Sequence, residues 1–143
     1  MFRDAKAFNG RVLPWTTSSV TNFKRVFYKA SSFNKDIGDW DVSKAVSMNG
    51  LLGHANAFAG DISNWNVSNV KDMRDMFMAA KDFNVDISNW DVSKVTDMHQ
   101  MFDDAEEFNI DINNWNVSSV TNMEYMFKEA LKFNVNIGDW DVS

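Results

Sequence analysis

Asp36, Asp61, Asp86 and Asp111 recur at one fixed interval, and Asn136 follows at the same step. Stacked in a column, such carboxylates offer the several hard oxygens that calcium takes at each site. Asp at this spacing also closes turns, by accepting backbone N–H groups two residues further on. No glycine-rich nonapeptide of the calcium-binding β-roll type accompanies the column, so both readings stand, with no metal as the primary one. A second polar row reads Thr16, Asp41, Asn66, Asp91, Asn116 and Asp141, flanked by Asn64, Asn89 and Asn114. Alternating Asp with Asn spreads its carboxylates to ~10 Å, near one Debye length at moderate salt. That row is either a solvated face or a flat polar surface for a protein partner. Trp15, Trp40, Trp65, Trp90, Trp115 and Trp140 would stack on sugars if exposed, or form a core ladder if buried. The two histidines, His54 and His99, stand in different columns, and the chain has no Cys. A thiolate nucleophile and a zinc–thiolate site are thereby excluded. With no glycine-rich phosphate loop either, the residues point to no catalytic site, no cofactor and no enzyme.

The elements that position these columns follow from a repeat. Phe8, Phe33, Phe58, Phe83, Phe108 and Phe133 fall 25 residues apart, and the tryptophans keep the same interval without an insertion. Full units run 8–32, 33–57, 58–82, 83–107 and 108–132, with partial units at 1–7 and 133–143. Together they form a single repeat domain, expected to be a fragment of a longer array. In the unit at 83–107, Trp90 and Val92 lie two apart, as on one face of a strand. Val95, Met98, Met101, Phe102 and Ala105 are spaced by three or four, which predicts one stripe of a short helix. Thr121-Asn122-Met123-Glu124 reads as a capping box. Trp90 and Val92 share the face that must cover Met98 and Phe102, so the tryptophans are expected in the core. Pro14 is expected near the start of the first strand, where a missing N–H is best tolerated. The unit at 33–57 carries Gly50 and Gly53 within the predicted helix, at about 1 kcal/mol each, which predicts a soft spot at residues 44–55.

The phrase FNxDISNWDVSxVTxMxxMF, clearest at 83–102 and recurring with substitutions along the chain, resembles the BspA-like surface-protein repeat, a leucine-rich-repeat relative also abundant in mycoplasma-type surface lipoproteins. The resemblance implies an α/β fold, a right-handed leucine-rich-repeat-like solenoid with a parallel sheet on one side and short helices on the other. It also implies an extracellular or cell-surface location and a role in adhesion or recognition. One departure is that Val95 occupies the position of the ladder Asn in leucine-rich repeats, leaving Asn109, Asp86 and their equivalents to shape the turns.

The functional expectation is a non-catalytic recognition or adhesion module. It would bind an unknown protein or host-surface ligand through its concave strand face or its variable helix face. One helix column reads Lys24, Asn49, Arg74, His99, Glu124 and the next Arg25, Gly50, Asp75, Gln100, Tyr125. His99 is expected to pair with Asp103. The alternative is a calcium-stiffened structural stalk or a glycan-binding repeat. A net charge of −6 disfavours nucleic acid as a partner, and no run reaches the ~18 apolar residues of a membrane insertion. Residues 1–35 hold seven basic residues against Asp4, a balance of +6; residues 36–143 hold seven basic and nineteen acidic, a balance of −12. Opposite charge at the two ends suits head-to-tail self-association.

Overall fold

Every apolar anchor of the repeat starts or closes a tight turn. The computed structural model describes residues 1–10 and 15–143. In the unit at 83–107, Trp90 N–H donates to the Ile87 carbonyl at 3.1 Å, Val95 to Val92 at 2.9 Å, and Met101 to Met98 at 3.1 Å. Ala105 then donates to Phe102 at 3.1 Å and Phe108 to Ala105 at 3.2 Å. Gln100 and Asp104, third in their turns, have φ of 52° and 58°. A left-handed residue at that position makes a type II turn. The same two positions are left-handed in the other units: Arg25 and Lys29, Gly50 and His54, Asp75 and Ala79, Tyr125 and Glu129.

These left-handed residues correct the expected architecture. Among the described residues there is no α-helix, and strand pairing is confined to single parallel bridges that link Asn22, Ser47, Asp72, Asp97 and Asn122 in succession. The right-handed α/β solenoid of leucine-rich-repeat type, with a continuous parallel sheet and short helices, is therefore not what forms. A helix and a run of β-turns both return an apolar side chain to the interior every three or four residues. Two positive φ angles per coil exclude the helix. The capping box is absent for the same reason: Asn122 Oδ1 accepts Glu124 N–H at 3.1 Å, while Thr121 Oγ1 donates to the Thr96 carbonyl at 3.0 Å. Pro14 lies outside the described residues.

Coils bond to one another through alternate backbone groups. Met73, Asp75, Phe77 and Ala79 N–H donate to the carbonyls of Asp97, His99, Met101 and Asp103, at 3.0, 3.0, 3.0 and 2.7 Å. On the return side Thr96 N–H reaches Lys71 at 2.9 Å and Glu107 N–H reaches Lys81 at 3.1 Å. Asn side chains add a third tie: Asn109 N–H donates to Asn84 Oδ1 at 3.0 Å, and Asn134 N–H to Asn109 Oδ1 at 2.9 Å.

Between these ties lies a core of ordered rings. Phe33, Phe58, Phe83, Phe108 and Phe133 stack from coil to coil with centroids 5.8, 6.4, 6.1 and 5.9 Å apart. Across the junction from one unit to the next, Phe77 packs on Phe83 and Phe102 on Phe108, each at 3.9 Å. Trp40, Trp65, Trp90 and Trp115 are buried beside them. The unit at 33–57 is not soft by its packing: Ala45, Met48, Leu51, Leu52 and Ala55 are fully buried. Gly50 has φ +59°, where glycine is the favoured residue. A Cβ on Gly53 would sit 2.9 Å from both the Asp75 carbonyl oxygen and the Tyr28 ring, so only glycine permits that approach.

Candidate functional site

Both polar rows face solvent, and both are built from turns. Asp36 Oδ1 accepts Gly38 N–H at 2.8 Å, Asp61 accepts Ser63 at 2.9 Å, Asp86 accepts Ser88 at 3.0 Å and Asp111 accepts Asn113 at 3.0 Å. Each carboxylate thus commits one oxygen to its own backbone. Among the described residues no three His, Asp or Glu side chains converge as a metal would require.

The second row behaves likewise. Asp41, Asn66, Asp91, Asn116 and Asp141 are exposed, and Oδ1 of each accepts the N–H of the Ser two residues on, at 3.0 to 3.2 Å. The hydroxyls of Ser68, Ser93, Ser118 and Ser143 donate to the same oxygens at 2.6 to 2.7 Å. Ser43, Ser88, Ser93 and Ser143 hold the carboxyls of Asp41, Asp86, Asp91 and Asp141 below their ordinary range, through hydroxyl and then N–H donation. At Asp61 the N–H of Ser63 does most of this. Asn64, Asn89 and Asn114 are exposed alongside. The row lies at the mouth of a turn rather than on a sheet.

A third column of the same kind escaped sequence reasoning: Asn22, Asp72, Asp97 and Asn122 accept the N–H of Lys24, Arg74, His99 and Glu124 at 2.9 to 3.2 Å. Its signal is the Asn or Asp that precedes Phe23, Met73, Met98 and Met123 at the 25-residue step.

The predicted helix face is instead a corner of consecutive type II turns. It carries the residues at 99, 100, 103, 104, 106 and 107 and their equivalents. The column Arg25, Gly50, Asp75, Gln100, Tyr125 is the left-handed position itself. Arg74 forks onto Asp72 with two contacts of 3.1 Å and reaches Asp97 in the next coil at 3.4 Å. Burial is the largest single influence on the half-buried Asp72 carboxyl and pushes it up, but the hydrogen bonds and charge of Arg74, with Asn49, together keep it below its usual range. His99 Nδ1 lies 3.8 Å from Glu124 Oε2, whereas Asp103 accepts Gln100 Nε2 at 2.7 Å. His99 therefore faces Glu124 of the next coil without a hydrogen bond between them, and does not pair with Asp103. At the opposite end of this face, Arg25, Lys29 and Arg3 surround the Tyr28 ring at 5.1, 5.6 and 5.8 Å from its centroid.

Residues 1–84 and 47–143 each match the profile of the family described as Mycoplasma protein of unknown function, DUF285. The chain belongs to this family. The two matches overlap, as a repeated sequence requires, and together they span the DUF285 chain. No curated protein and no solved structure matches it. The DUF285 chain thus combines one uniform face, whose Asp and Asn oxygens serve its own turns, with one face that varies from coil to coil.

Proposed function

We propose that this DUF285 chain is a non-catalytic recognition module that binds a protein partner through its variable corner face, as part of a surface or secreted protein. One observation carries the reading: the left-handed position presents a different side chain in four coils, Arg25, Asp75, Gln100 and Tyr125, and none at Gly50, from a repeated backbone geometry. A fixed frame lowers the ordering cost of binding, and varied side chains supply specificity. The Asp/Asn row at Asp41, Asn66, Asp91, Asn116 and Asp141 is the weaker candidate, because its Oδ1 atoms are already engaged.

An array of purified extracellular host proteins tests the proposal. The chain is compared with R74A/Q100A/Y125A and with N66A/D91A/N116A. Loss of the strongest signals only in the first variant supports the corner face. Loss only in the second, or no protein signal above background, overturns the proposal.

A further inference from the structure

The basic end of the corner face carries chemistry that the rest of the chain lacks. Two open depressions lie on either side of Tyr28. One, of about 450 Å³, is lined by Asp4, Lys6, Lys29, Ser31, His54 and Asn56. The other, of about 650 Å³, is lined by Arg3, Lys24 and Arg25 with Asn22 and Met1. Asp4 is drawn to Arg3 at 3.3 Å, and Arg25 lies 3.9 Å from Asp75. Lys6, Lys24 and Lys29 form no ion pair among the described residues. Their ammonium groups are therefore free to meet an outside anion, and the Asn56 amide and the His54 ring add hydrogen-bonding capacity, while the Ser31 hydroxyl donates to the Lys6 carbonyl at 3.4 Å.

We infer that these two depressions are neighbouring anion subsites that together take a sulfated polysaccharide, one sulfate group beside Lys6 and Lys29 and another beside Arg3 and Lys24. The lining decides among polyanions. A protein partner seats its anchors in well-packed pockets that exclude water, whereas these depressions are open and lined mainly by cationic and amide side chains. Single-stranded nucleic acid needs an open aromatic platform. The Tyr28 ring is instead ringed by Arg3, Arg25 and Lys29 and met by the edge of His54, with centroids 5.3 Å apart and planes at 84°. An anionic bilayer would face the repulsion of the remaining chain, whose balance from residue 36 onward is −12. A flexible chain with regularly spaced sulfates asks only for cations at intervals. The inference does not rest on the protein-binding reading, with which it shares only Arg25.

The test is titration of the 143-residue chain with a heparin octasaccharide, at 50 and 150 mM NaCl, by calorimetry. Binding should weaken steeply with salt, with K6A/K29A and R3A/K24A each costing roughly ten-fold and lowering the salt slope by about one per cation lost. K128A/K132A, at the other end, should bind as the unaltered chain does, and a desulfated octasaccharide should bind at least ten-fold more weakly. Absence of binding at 50 mM NaCl overturns the inference. So does indifference to both basic-end variants, equal binding of the desulfated sugar, or tighter binding of a single-stranded DNA 20-mer or of vesicles with 30% phosphatidylserine. Circular dichroism of the variants, whose altered side chains are all exposed, confirms that the comparison is between folded chains.

Discussion

Trp90 Nε1 donates to the backbone carbonyl of Ile62, one coil earlier, at 3.2 Å. The same carbonyl also accepts the turn N–H of Trp65, at 3.1 Å. Trp65, Trp115 and Trp140 repeat the relationship with Ile37, Ile87 and Ile112 at 3.1 to 3.2 Å. One lone pair of each Ile oxygen closes its own turn and the other ties down the next coil's indole. W90F keeps an aromatic ring but removes this donor and leaves a small void. It should lower unfolding free energy by about 1.5–3 kcal/mol in urea titration. W140F, at a half-buried position, should cost about half as much. Equal costs at both sites would refute the burial argument.

The Asn ladder is broken at one rung. Ala59 N–H donates to Asn34 Oδ1 at 3.1 Å, but Ala59 has no side chain to accept the N–H of Asn84. A59N should restore the rung and raise stability by about 0.5–1 kcal/mol, read as a higher urea midpoint at unchanged slope. A59S, too short to span the gap, is the control. No gain over A59S would show that the ladder contributes nothing at this exposed edge.

Turn and helix make opposite predictions at Gly50 and Ala79. On a helix, G50A stabilises and A79G destabilises, each by about 1 kcal/mol. At φ +59° and φ 53° the signs reverse. G50A should cost about 1–2 kcal/mol, and A79G should gain about 0.5–1 kcal/mol. Hydrogen exchange gives a second reading, because residues 44–55 are packed as tightly as 94–105 and should exchange as slowly. Earlier opening of 44–55 would contradict the buried packing of Leu51 and Leu52.

Acid should act in two stages. Burial first, and Lys29 second, hold the His54 pKa below its usual value. The unfolded chain therefore takes up this proton more readily, and His54's contribution is complete above pH about 6.5 and declines below it. The urea midpoint should fall between pH 8 and 5.5, and H54Q should flatten that stage. The carboxyls of Asp41, Asp61, Asp86, Asp91 and Asp141 are lowered, so their contribution is present above the usual carboxylate range, about pH 4, and is lost below it. Asp75, raised chiefly by burial, acts in the opposite sense and favours the fold as pH drops. A flat midpoint from pH 8 to 5.5 in the unaltered chain would remove the role given to His54.

The 25-residue step and the burial of the tryptophans were legible because register and apolar pairing are written directly into residue types. Trp90 and Val92 on one face could not be outside while Met98 and Phe102 were inside. The helix was not legible as an error, because Met98, Met101 and Ala105 have the same spacing on a helix as at the corners of i to i+3 turns. What separates the two is the φ of Gln100 and Asp104, and neither is a glycine that would have announced a left-handed position. Only Gly50 gave that signal, and in a helix frame it read as weakness. The Asp and Asn rows are exposed but lie on turns and not on a sheet face, and their commitment to backbone N–H groups two residues on depends on turn geometry. The charge imbalance of residues 1–35 was plain, whereas the gathering of Arg3, Arg25 and Lys29 around Tyr28 required the coils to be stacked.

Each coil exchanges the same backbone donors and acceptors with its neighbours: Met48 N–H with Asp72, Met73 with Asp97, Met98 with Asn122. Coils are therefore interchangeable parts. Excision of residues 58–82 would set Met48 N–H opposite the Asp97 carbonyl and Ser47 against Asp97, with the Phe and Trp columns unbroken. Duplication of a coil would do the same in reverse. Length changes that keep these ladders come in whole steps of 25 residues, or 75 coding nucleotides at three per residue, and an increment of any other size would break the ladders that cross its junction.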